Sequence, residues 1–338
     1  MKKFINKVDD ILTESLSGFA TAHSDLVTLH LEPNFLTRAN KIQGKAQNKV
    51  AIISGGGSGH EPLHAGYIGY GMLDAACPGH VFSSPTPDQM LAAAEAVHAN
   101  KGVLFIVKNY AGDVMNFEMA GEMLTFEHAT VLTSDDCAVI NSTYTTGRRG
   151  VAGTVIVEKC VGSLAETGAD LAACKALGDK VNSRTASIGV ALGSCTVPAA
   201  GRPTFDIGNN EIEMGVGIHG EPGRKREAMH EADAIVKDMV DAILADFTTR
   251  NMKRQKDQEV LLLVNGFGAT PLMELYLLYN SAAKLLNSHD LQITRSLVGN
   301  YTTALDMAGG SITVCLLDDE IKQHWDSAVH TPALRWSC

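Results

Sequence analysis

The sequence has no pair of cysteines at C-x-x-C spacing. Its seven cysteines, at 77, 137, 160, 174, 195, 315 and 338, are scattered and odd in number. That argues against a disulfide framework or a cysteine zinc site and fits reduced, mostly buried thiols in the cytoplasm. No run of about 18 apolar residues occurs, so no helix is expected to cross a membrane. Lys7, Asp9 and Asp10 interrupt any apolar segment after Met1, so no secretory signal is expected. Basic residues are in deficit, 28 Lys and Arg against 38 Asp and Glu, for a net charge of −10. Nucleic acid is therefore a poor candidate for the main partner, because phosphate neutralisation needs clustered cations. No G-x-x-x-x-G-K-[ST] loop is present. Gly215–Gly220 spells G-x-G-x-x-G, but Glu221-Pro222-Gly223 follows and breaks the helix that a dinucleotide fingerprint should open. The chain thus shows no ATP or NAD site of its own.

What is present is enough apolar material, 45% of 338 residues, for two cores. Short apolar runs alternate with amphipathic ones. Val50–Ser54, Val103–Lys108 and Thr130–Thr133 read as buried strands; Pro87–Ala99, Val114–Leu124 and Gly150–Thr167 read as helices. A second block gives strands at Ser187–Leu192, Glu211–Ile218, Glu259–Val264, Leu291–Ser296 and Ser311–Leu316. Its helices fall at Lys225–Thr248 and Pro271–Leu286, with Asn251–Glu259 as a loop. The alternation predicts two α/β domains, residues 1–184 and 185–338, with mainly parallel or mixed sheets flanked by helices.

Two glycine-rich stretches end in a histidine: S-G-G-G-S-G-H-E-P at 54–62 and V-G-I-H-G-E-P-G at 216–223. Neighbours without bulk leave an imidazole accessible for hydrogen bonding, proton transfer or attack on a carbonyl. The first stretch, read as a tight turn, follows a strand and so lies at the carboxyl edge of a sheet, where backbone N–H groups can approach a small polar molecule. The next strand delivers Lys108 and, beyond Asn109-Tyr110-Ala111-Gly112, Asp113 to the same edge. Asp113 reads either as a helix N-cap or as a base beside a histidine. His64, one turn past His60, reads as a second pocket residue or a surface one. A metal held by His60, His64 and a carboxylate matches no metal-binding spacing, and none is expected. Arg148-Arg149 reads as an anion site, a partner contact or a solvated turn.

These residues together resemble a family. S-G-G-G-S-G-H-E-P, S-P-T-P-D at 84–88, K-N-Y-A-G-D-V-M-N-F-E at 108–118, G-R-R-G-V-A-G-T-V at 147–155, C-T-V-P-A-A-G at 195–201, G-V-G-I-H-G-E-P-G at 215–223 and L-V-N-G-F-G-A-T-P-L at 263–272 are similar to the dihydroxyacetone-binding subunit K of bacterial phosphotransferase-dependent dihydroxyacetone kinases, over essentially the whole chain. The resemblance implies that a ring nitrogen of His219 adds to the ketone carbon of dihydroxyacetone to give a hemiaminal. It implies that Gly57, Ser58, Gly59 and His60 bind substrate hydroxyls, and that His60 assists proton transfer. Lys108 and Asp113 match further substrate-binding positions, and Asp113 or His60 would deprotonate the attacking hydroxyl. It places ADP and magnesium in a separate subunit L, which a subunit M recharges, and it implies a homodimer. Covalent capture suits so small a ligand, because contact area alone would bind it weakly and positioning is most of phosphoryl transfer. Some relatives use the same histidine as dihydroxyacetone-sensing coactivators of a transcription regulator. The intact K-N-Y-A-G-D-V-M-N-F-E run and the G-R-R-G turn favour the kinase subunit. A partnerless binder of small ketones or glyceraldehyde is the third possibility.

Overall fold

The computed structural model describes residues 2–39, 48–139 and 145–338. It contains two six-stranded sheets with helices between and outside them, the expected α/β class. The first sheet comprises β1 (Val27–His30), β2 (Phe35–Arg38), β3 (Ala51–Ser58), β4 (Ala75–Val81), β5 (Val103–Lys108) and β6 (His128–Thr133), in the order β1-β2-β4-β3-β5-β6. β4, β3, β5 and β6 are parallel; β1 and β2 add an antiparallel edge. The second comprises β7 (Thr185–Ala191), β8 (Glu211–Met214), β9 (Lys225–Ala228), β10 (Gln258–Gly266), β11 (Leu291–Gly299) and β12 (Gly309–Leu316), in the order β11-β10-β12-β7-β8-β9. Only β10 and β11 run parallel, so this sheet is mixed.

Helices α1 (Ile11–Ala22), α2 (Pro87–Val97) and α3 (Ala111–Met123) belong to the first half. α4 (Gly153–Glu166) and α5 (Leu171–Ser183) follow. α6 (Ala232–Thr249), α7 (Leu272–Ser288) and α8 (Asp319–Asp326) complete the set. α2 starts where S-P-T-P-D supplies its signals: Pro87 at the first helical position, and a capping box in which Gln89 Oε1 accepts the Thr86 N–H at 2.9 Å. α4 is buried on nearly every side. Its Val155, Ile156 and Val161 join Ile52 and Ile106 of the first sheet and Leu261 and Leu263 of the second in one core. Each such side chain contributes about 1.5–3 kcal/mol by leaving water.

Three expectations are corrected here. The glycine run 55–57 is not a turn: β3 continues through it to Ser58, held by register with β4 and β5. The helix expected over Lys225–Thr248 splits, because Lys225–Ala228 pairs with β8 as an edge strand, with the helix beginning at Ala232. The strand expected over Glu211–Ile218 ends at Met214, and Gly215–Gly220 turns back toward the first sheet. No helix among the described residues is long and apolar enough to cross a membrane.

Candidate active site

The end of β3 and the turn after β8 meet. His60 Nε2 lies 3.1 Å from His219 Nε2, although 159 positions separate them. His60 is clamped from the second sheet. Leu305 N–H donates to Gly59 O at 2.8 Å, Thr303 N–H to His60 O at 3.2 Å, and Thr303 Oγ1 to Glu61 O at 2.9 Å. Phe82 stacks on the His60 ring, with centroids 4.9 Å apart, and Tyr110 meets the His219 ring edge-on at 4.6 Å. These aromatic walls exclude water from the histidine pair.

Tautomers follow from the outer nitrogens. His60 Nδ1 lies 2.8 Å from Thr303 O and must carry the proton there, which leaves Nε2 facing His219. Burial, then His219 and Lys108, depress the basicity of His60 well below the ordinary histidine value. His219 Nδ1 lies 3.3 Å from Glu221 Oε1, and Glu221 Oε2 accepts the His219 backbone N–H at 2.9 Å. Burial pushes the Glu221 carboxyl up, but His219 and Arg149 outweigh it and hold it at about 2. Glu221 therefore stays ionised and accepts from Nδ1, which leaves His219 Nε2 facing His60.

Glu221 went unread in the sequence. Its signal was the glutamate–proline that follows each histidine. In both loops a glutamate folds back two residues onto a backbone N–H, Gly59 to Glu61 at 2.9 Å and His219 to Glu221. Gly217 is required for this, because a Cβ there would run into the Glu221 carboxylate and stand 2.7 Å from Arg149 Nη1. Gly217→Ala is expected to cost about 1–3 kcal/mol in overpacking. It should also weaken ligand capture at His219. Equilibrium unfolding and a binding titration check both.

The Arg148–Arg149 turn is neither solvated nor an anion site. Arg149 is fully buried, its guanidinium 2.6 Å from Asp136 and donating to Gly215 O at 2.7 Å. Arg148 joins Asp246 at 2.8 Å. Arg149 fastens the turn carrying His219 to the segment after β6, and Arg148 ties that segment to α6. Arg149→Ala leaves Asp136 buried without its cation and is expected to cost about 3–5 kcal/mol, read as a lower denaturant midpoint.

The other site residues lie behind the glycine strand. Lys108, buried at the end of β5, reaches Asp113 Oδ2 at 3.7 Å and His64 Nε2 at 3.0 Å. A Cβ at Gly56 would collide with the Lys108 ammonium and displace it. Asp113 is no N-cap. It lies within the first turn of α3, buried, where the helix dipole favours a carboxylate. Ser58 Oγ donates to Gly79 O at 2.7 Å, which commits its hydroxyl to the fold. Gly57 and Gly59 bracket it at the end of the strand. His64 is a buried residue, not a surface one. Its nitrogens are taken by Glu158 and Lys108, so it forms no metal set with His60.

A model of the Dak1 domain matches residues 17–333. The chain is 49% identical, over 99% of each chain, to the dihydroxyacetone-binding subunit DhaK of the PEP-dependent dihydroxyacetone kinase of Escherichia coli. A solved dihydroxyacetone kinase operon co-activator superposes with a TM-score of 0.87 at 31% identity, covering 97% of this chain and 98% of that one. The dihydroxyacetone kinase of C. freundii superposes with a TM-score of 0.83 at 32% identity, covering 98% of this chain and 60% of that one. With the family model spanning nearly the full length and DhaK subunits this similar to it, the chain belongs to the Dak1 domain family.

Proposed function

We propose that this chain is the dihydroxyacetone-binding subunit of a phosphotransferase-dependent dihydroxyacetone kinase. The observation that carries the reading is the His60–His219 pair, walled by aromatic rings, with Glu221 fixing the nucleophilic nitrogen. The ketone of dihydroxyacetone enters between the two rings. The lone pair of His219 Nε2 forms a bond to the ketone carbon. The carbonyl π bond opens onto oxygen, which takes a proton that His60 relays from water, giving the hemiaminal hydroxyl. Glu221 offsets positive charge on the alkylated ring throughout. Asp113, facing Lys108 from the first turn of α3, accepts the proton of the terminal hydroxyl as that oxygen attacks phosphorus. Gly57 and Gly59, without side chains, border the substrate beside His60. The phosphoryl group comes from a nucleotide with magnesium on a separate subunit L, itself recharged by a subunit M. The subunit works as a homodimer in the cytoplasm.

The test is reconstitution: this chain, dihydroxyacetone, an ADP-loaded L subunit of proven activity and its phosphodonor. Dihydroxyacetone phosphate as product supports the reading. Ligand bound at His219 without product assigns the chain instead to the coactivator class, which the structural likeness to an operon co-activator makes the specific competitor.

A further inference from the structure

A buried chain of four ionisable groups runs away from the site behind the glycine strand. Asp113 faces Lys108 Nζ at 3.7 Å, Lys108 Nζ faces His64 Nε2 at 3.0 Å, and His64 Nδ1 faces Glu158 Oε1 at 2.6 Å. Every member is buried, and Glu158, in the middle of α4, is fully so. A carboxylate and an imidazole are costly to hold in an apolar helix layer unless they act on something. Neither touches the space between His60 and His219, where the substrate would lie.

The direction of the hydrogen bonds is fixed from one end. The ammonium of Lys108 has only donors, so His64 Nε2 must accept. The His64 proton then sits on Nδ1 and is donated to Glu158, with Ser54 Oγ also 2.9 Å from Nδ1. Burial pushes the Glu158 carboxyl up, while Ser54 and Lys108 pull it down. Burial wins and holds the carboxyl at about 8, and in either protonation state Glu158 Oε1 accepts from His64 Nδ1.

We propose that His64 and Glu158 are positioning residues for phosphoryl transfer: Glu158 fixes the His64 tautomer, and His64 Nε2 anchors the Lys108 ammonium where it faces Asp113. Without the acceptor at Nε2, Lys108 keeps only a long bond to Gly55 O at 3.4 Å and the long ion pair with Asp113 at 3.7 Å, and its ammonium is free to shift. The inference rests on the kinase reading above.

Two substitutions separate positioning from packing. Glutamine places an amide oxygen close to the imidazole Nε2 position and can still accept from Lys108; phenylalanine keeps the ring shape and cannot. In the reconstituted kinase, His64→Phe is expected to lower kcat by about 10- to 100-fold, the scale of a lost outer-shell partner, with covalent capture of dihydroxyacetone at His219 retained. His64→Gln should stay within a few-fold of the unchanged chain. Should His64→Phe not fold, His64→Leu replaces it. Equal rates for both variants, or a better rate with Phe than with Gln, overturn the proposal. So does a 15N NMR spectrum showing the His64 proton on Nε2, whereas a proton on Nδ1 alone supports it. If the unchanged chain captures the ligand but gives no product with a proven L subunit, the kinase reading fails and takes this inference with it; a variant-specific result leaves that reading standing.

Discussion

His219→Ala is expected to leave the fold intact and to abolish covalent capture of dihydroxyacetone. The side chain is 16% exposed and fills no core, so its removal opens the pocket without leaving a buried void. On the proposed mechanism, what is lost is the atom that turns a weakly held three-carbon ketone into a fixed one. Positioning of this kind contributes on the order of 10³-fold or more, so kinase turnover should fall by at least that amount. Intact-mass spectrometry after trapping reports the adduct, and the coupled assay reports turnover. An adduct that persists in the His219→Ala chain removes the basis of the mechanism. His60 offers no substitute, because its Nδ1 is tied to Thr303 and its basicity is depressed by burial, His219 and Lys108.

Asp113→Asn should separate the two halves of the reaction. Asparagine keeps the size and the place in the first turn of α3 but cannot take a proton. Capture at His219 is expected to remain within a few-fold of normal, while kcat falls by about 10²–10⁴, the usual worth of a general base. Equal loss of capture and turnover would make Asp113 a binding or structural residue.

Much of this was legible in the sequence. β3, β5 and β10 announced themselves as unbroken apolar runs, because strands buried on both faces need no alternation. The two histidines stood out because glycine surrounds them. β4 was missed: A-A-C-P-G-H-V carries a proline, a glycine and no β-branched residue before its last position, and register with β3 decides it. β9 was read as helix because K-R-E-A matches good helix formers, and its pairing with β8 overrides that propensity. Glu221, Arg149 and Glu158 were not assigned to the site because their roles depend on partners far along the chain. Glu158 did leave a trace: the glutamate and lysine of V-I-V-E-K interrupt a helix that is otherwise buried all round.

The meeting of His60 and His219 across 159 positions ties chemistry to the completeness of folding. A chain still emerging from the ribosome, with its first sheet formed and its second unmade, presents one histidine and no nucleophile. It cannot capture the ketone. Loosening the Thr303–Leu305 clamp or the Arg149–Asp136 pair would part the rings and release whatever is bound. On the proposed mechanism, adduct formation would be a chemical signal that both layers have assembled, and its yield during refolding would time the last long-range event in the chain.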